Sequence, residues 1–184
     1  MSKQAMIESH REGAEVHRGA DLCKKQSMDL LAELHLPKAL LPLAAVEEVG
    51  YNRATGFVWL RQNKSTTHVF KAIGKTVSYA SEVTAFVEDR RMKRMTGVKS
   101  RELLIWVSIT DMYIDDPESK RITFKTPAGI GRSFPVSAFE ADADKEEERD
   151  GGGGGIKEIT RSLTNDTDIH WSTASIWLLC QGQS

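Results

Sequence analysis

The stretch "KTVSYASEVTAFVED", residues 75–89, decides the fold. Val77, Tyr79, Ser81, Val83, Ala85 and Val87 recur at every second position. Ser78, Ala80, Glu82, Thr84, Phe86 and Glu88 fill the positions between. A period of two belongs to an extended strand, whose side chains alternate between the two faces of a sheet. The run is long enough to bend or bulge midway. Upstream, "VEEVGYNRATGFVWLRQ" carries two short apolar runs around the turn residues Asn52 and Gly56. It predicts a hairpin of 46–51 with 56–62. "THVFKAI" adds a short strand before Gly74.

Downstream the same texture continues. "RRMKRMTGVKS" predicts a basic turn or short strand. "RELLIWVSITDMYID" holds the most apolar run of the β region, 103–107, which is apolar on both faces and predicts a central strand. "DPESK" places Pro117 where a hairpin turn accepts it. "RITFKTPAG" is the return strand, with Ile122 and Phe124 inward, and Pro135 marks "RSFPVSAF" as an edge strand. Seven or eight strands with short links, and almost no helix between them, predict a mainly β fold. The expected architecture is a closed or nearly closed antiparallel β-barrel or sandwich.

Before the strands, 5–35 predicts a single helix. Val16, Ala20, Cys23, Ser27, Leu30, Leu31 and Leu34 recur at spacings of three and four, as one apolar stripe does. Ser27 suits a helix cap or a mid-helix position. Pro37 ends the helix, because it disfavours helical geometry at Leu36 and has no amide donor. "LPKALLPL", 36–43, is then a stiff apolar connector. It reads either as a plug that packs helix onto sheet or as an exposed lip at a membrane.

From Ala141 the texture changes to "ADADKEEERDGGGGG", which is too polar to bury itself and predicts a flexible, disordered tail. The expected organisation is a helix over 1–36, a β domain over 37–140 and an acidic, glycine-rich tail over 141–184. From Glu140 onward there are ten acidic and four basic residues, a net of −6. The whole chain carries −1, which leaves +5 for residues 1–139.

Cys23 and Cys180 alone make no disulfide framework, so a reduced, cytoplasmic protein is expected. The five histidines are scattered and none sits beside a cysteine pair, so neither a metal nor another cofactor is expected. No run approaches a membrane span, and the first residues lack the apolar core of a secretory signal. No aromatic interleaves the basic residues, which argues against nucleic acid.

The segments "LPKALLPL", "VEEVGYNRATGFVWL", "GKTVSYASEVTAFVE", "MKRMTGVKSRELLIWVSITDMYI" and "ITFKTPAGIGRSFPVSAFE" lie within a region, Cys23 to Glu140, that spans about two-thirds of the chain. In order and spacing they resemble the plant family catalogued as domain of unknown function 538. The resemblance implies a β-rich fold with an N-terminal helix, likened to lipid-binding proteins of the bactericidal/permeability-increasing type. It also implies a link to stress responses. An ester hydrolase activity on chlorophyll-type substrates is proposed for some members. No catalytic residues come with it.

Two readings compete for the strand aromatics: a filled core, or a cavity that holds one small apolar ligand. On the second reading Trp59, Leu60, Trp106 and Phe124 line the cavity. The basic cluster Arg90, Arg91, Lys93, Arg94, Lys99 and Arg101 is a solvated loop, a seat for an anionic headgroup or another acidic partner, or a match for the chain's own acidic segment "EADADKEEERD". On the headgroup reading Arg90, Arg91, Lys93 and Arg94 are the expected contacts. The expected function is non-enzymatic binding of a small amphipathic or lipid-like molecule by a monomer, with transient contact to a membrane surface. A weak ester hydrolase is the alternative. It has no Gly-x-Ser-x-Gly elbow, and Ser78, His68 and Asp111 are the trio available for it. An interaction module in stress signalling is the third reading.

Overall fold

The computed structural model describes residues 2–41 and 46–140. The expected tail over 141–184, and Pro42 and Leu43 of the double-proline stretch, lie outside the described residues.

The described chain is mostly antiparallel β-sheet. It begins with α1 (Lys3–Arg11), β1 (Glu15–Arg18) and α2 (Ala20–Glu33). The strands that follow are β2 (Val46–Asn52), β3 (Phe57–Gln62), β4 (Thr66–Phe70), β5 (Lys75–Glu88), β6 (Arg91–Glu102), β7 (Ile105–Ser108), β8 (Asp111–Tyr113), β9 (Arg121–Lys125) and β10 (Gly131–Pro135). All ten strands belong to one sheet, whose main path runs β1-β2-β3-β5-β6-β8-β9-β10. The path ends in two edges, so the sheet is not closed into a barrel.

The β5–β6 hairpin is the spine. The far half of β5 pairs with β3 through Arg61↔Glu82 to Phe57↔Phe86, and its near half pairs with β4. On the other side, β6 pairs with β8 near its start and with β7 near its end. One strand therefore serves two partners on one flank, which requires a bend. The register breaks between Tyr79 and Thr84, and opposite lies Gly97 at φ 83. A Cβ on Gly97 would run into the backbone carbonyl of Glu82, so only glycine allows the two strands to cross there.

The alternation of β5 holds on either side of this break, within which Ser81, expected on the buried face, is exposed, and Thr84, expected on the other face, is buried. Tyr79, Val83, Ala85 and Val87 are buried on one face with Val49, Leu60, Met92, Met95, Val98, Met112, Ile122 and Phe139. α2 covers this face through Cys23 and Leu31, joined by Leu34 at its C-cap. Leu36 and Leu40 are buried in the same core, and the Tyr79 hydroxyl donates to the Leu40 carbonyl at 3.0 Å. The described part of "LPKALLPL" is thus a plug between helix and sheet.

The opposite face of β2 and β3 holds a second cluster, Phe57 and Trp59, capped by Ile7 of α1. The residues expected as one helix are two helices flanking an edge strand. Gly13 and Gly19, at φ 73 and 95, break the helical path. Residues 15–18 satisfy their backbone by pairing with β2 instead, and Ser27 sits mid-helix and buried in α2. "RRMKRMTGVKS", expected as a turn or short strand, belongs to a 12-residue strand at the centre of the sheet.

Candidate functional site: an apolar hairpin tip

The run 103–107, expected to be buried on both faces, stands at the surface. β6 and β7 form a hairpin in which Lys99 faces Ser108, Ser100 faces Val107, Arg101 faces Trp106 and Glu102 faces Ile105. Only Leu103 and Leu104 remain to make the turn. They are 73% and 88% exposed, and Ile105 is 65% exposed. Trp106 is 44% exposed.

This turn is chemically unusual. Tight two-residue hairpins need a positive φ at their first position and normally use Gly, Asn or Asp there. Here Leu103 takes it, at φ 54. A γ-branched residue in that conformation costs about 1–2 kcal/mol. The exposure of two leucines beside it adds no folding stability in return. Such a combination points to function rather than to folding.

Charges are layered behind the tip. Because opposite residues share a face, Arg101 and Lys99 stand on the same side as Trp106. Both are exposed, and neither has a carboxylate partner among the described residues. On the other side, Glu102 accepts from Lys75 Nζ at 2.8 and 3.0 Å, and Arg132 Nη1 lies 3.2 Å from it as an ion pair. Lys75 opens β5 and Arg132 lies on β10, so Glu102 ties the hairpin base to two other strands.

The remaining expected site residues do not gather here. Trp59 and Leu60 are neighbours on β3 and so point to opposite faces. Trp59 is fully buried under α1, and its indole N–H donates to Glu48 at 2.9 Å. Leu60 is in the main core. Phe124 of β9 packs against that core beside Phe134 and Phe139. The set of four lines no common cavity, and only Trp106 belongs to the tip.

Arg91, Lys93 and Arg94 lie at the opposite end of the 12-residue β6, and Arg90 directly precedes it. A straight strand of that length spans roughly 40 Å. Arg90 pairs with Asp89 at 3.0 Å, Arg91 with Asp115 at 3.4 Å and Lys93 with Glu88 at 2.6 Å. Arg94 lies over the Phe86 ring. Three of these four cations are already neutralised locally.

The trio Ser78, His68 and Asp111 is not assembled either. In the β4–β5 register Ser78 faces Thr67 while His68 faces Val77, so the serine and the histidine occupy opposite faces of the sheet. Cys23 is no substitute nucleophile, because it is buried and burial pushes its thiol up.

The strongest electrostatic cluster is structural. Glu48 accepts from Arg11 at 2.9 Å, from Trp59 at 2.9 Å and from Arg18 at 3.0 Å. Burial alone would raise its pKa, but these donors overturn that and hold it down at about 2. Every contact joins α1, β1 or β3 to β2, and nothing is left over for a ligand. Among the described residues no group of three or more His, Cys, Asp or Glu is placed to hold a metal ion.

The model of the family described as protein of unknown function, DUF538, matches residues 27–140. The chain belongs to the DUF538 family. The DUF538 match takes in the whole β6–β7 hairpin, Lys75 and Arg132, while α1 and β1 precede it. No curated protein and no solved structure matches the chain.

Sequence reasoning named Trp106 but missed Leu103, Leu104 and Ile105. The signal was the absence of any turn residue between two segments that each read as strand.

Proposed function

We propose that this DUF538 protein is a non-enzymatic binder of amphipathic lipid, which it engages at an anionic membrane surface through the tip of the β6–β7 hairpin. The observation that carries the reading is the pair of exposed leucines in a two-residue turn with Leu103 at positive φ. The cavity version of lipid binding is set aside, because its four lining residues do not meet and the sheet is open.

The order of chemistry along the hairpin suits a bilayer. Leu103, Leu104 and Ile105 come first. Trp106 and Arg101 follow about 7 Å behind, given a rise of about 3.3 Å per residue. An interfacial aromatic and a snorkelling arginine sit at that depth in membrane proteins. Lys99 lies a further two residues back, level with headgroups. Removing the three aliphatic side chains from water is worth about 5 kcal/mol, and each cation near an anionic surface adds about 1 kcal/mol. No described helix is long and apolar enough to cross a membrane. The binding unit on this reading is a monomer. The surface is a cytoplasmic leaflet, the anionic one.

Flotation with vesicles tests the reading. Wild type is expected to float with phosphatidylcholine vesicles containing phosphatidylserine, and Leu103→Asp with Leu104→Asp is expected to stay in solution. Equal flotation of the two proteins, or none by wild type, overturns it. A wild-type dimer that the same variant splits would instead make the tip and the open edge of β7 a surface for a second copy.

A further inference from the structure

Glu102 poses a problem for the proposed insertion. It directly precedes the leucine turn, so a tip that enters the interface carries a carboxylate close behind it. A carboxylate at that depth is costly unless it is paired. The structure pairs it twice. Lys75 Nζ reaches both carboxylate oxygens at 2.8 and 3.0 Å, and Ser100 Oγ donates to one of them at 3.4 Å. That much already neutralises Glu102.

Arg132 is therefore a second, surplus cation. Its Nη1 lies 3.2 Å from Glu102, and its side chain is 59% exposed against 19% for Lys75. Its Nε and Nη2 have no partner among the described residues. A guanidinium anchored by one nitrogen keeps the fork geometry that matches two oxygens of a phosphate. The local sum is two cations to one carboxylate, which leaves one positive charge for one incoming anion. Arg101 and Lys99 cannot serve this position, because they stand on the other face of the hairpin.

We propose that Arg132, seated on Glu102 beside Lys75, is the binding position for the phosphate of one anionic lipid headgroup. The inference rests on the membrane reading above and adds a specific site to it. Arg132 acts here by geometry, whereas Arg101 and Lys99 act by charge alone. The three residues come from β5, β6 and β10, so the site exists only when the sheet is folded. Glu102 is the positioning residue: it lies one residue behind the turn and fixes one end of the guanidinium, whose exposed side is left to meet a headgroup phosphate when Leu103 and Leu104 are inserted.

The test uses the full chain and two vesicle types of equal surface charge. One is phosphatidylcholine with phosphatidic acid, and the other is phosphatidylcholine with a fatty acid, whose charge is a carboxylate. Arg132→Lys keeps the charge and loses the fork. It is expected to weaken binding to phosphatidic acid vesicles about tenfold and to leave binding to fatty-acid vesicles unchanged. Arg101→Gln is expected to weaken both by the same factor. Circular dichroism of each variant establishes that it is folded.

Wild-type affinity retained by Arg132→Lys on phosphatidic acid overturns the site while leaving the hairpin reading intact. Absence of wild-type binding to either vesicle removes both. Glycerol phosphate at millimolar concentration is expected not to displace the protein. Displacement would make the ligand a soluble phosphate and overturn the lipid assignment.

Discussion

Replacing Glu48 by Gln offers a quantitative test of how the N-terminal segment is held. The Glu48 side chain is 10% exposed and collects Arg11, Arg18 and the Trp59 indole. Its pKa is held down from 4.5 to about 2, against a burial effect that acts the other way. A carboxylate depressed in the folded state adds stability that is complete above its unfolded value, and that stability is lost as pH falls through the folded value. The window here is therefore pH 4.5 down to about 2. At about 1.4 kcal/mol per pH unit the shift corresponds to about 3 kcal/mol. Arg18 is 75% exposed, which screens its share and brings the expectation to about 2–3 kcal/mol. The assay is urea unfolding followed by tryptophan fluorescence, for wild type and Glu48→Gln at pH 7 and at pH 2.5. The variant is expected to be less stable by about 2–3 kcal/mol at pH 7. The gap is expected to close to within about 1 kcal/mol at pH 2.5. Other carboxylates titrate in both proteins and cancel in the comparison. A gap of the same size at both pH values would refute the electrostatic account and leave only packing around the indole.

Two further outcomes follow from the hairpin and the spine. Leu103→Gly with Leu104→Asn supplies the residues that a positive φ at the first turn position prefers, and is expected to raise stability by about 1 kcal/mol in the same assay while abolishing vesicle flotation. A loss of stability would mean that the leucines are packed in the native fold. Gly97→Ala meets both the positive φ and the Glu82 carbonyl, and is expected to cost about 3 kcal/mol. A thermal midpoint unchanged from wild type would show that the β5–β6 crossing relaxes freely.

The sequence by itself determined the local geometry. Alternation through 75–89 announced the long strand and the face that Tyr79, Val83, Ala85 and Val87 bury. Pro37 announced the end of α2, and Pro135 announced an edge strand, which β10 is. These are consequences of backbone stereochemistry within a few residues. Tertiary structure decided the rest. Val16, on the apolar stripe predicted as helix, lies in a strand because β2 offered an edge for pairing. Trp59 and Leu60 were separated by the sheet they share, and Glu48 became a clamp only when Arg11 and Arg18 arrived from elsewhere in the chain. The run 103–107 shows the physical reason most clearly. Hydropathy measures what a side chain gains by leaving water, but it does not say what will cover it. Which surface closes over Leu103 and Leu104 depends on where the sheet ends, and the strand order that sets this arises from pairings between distant residues.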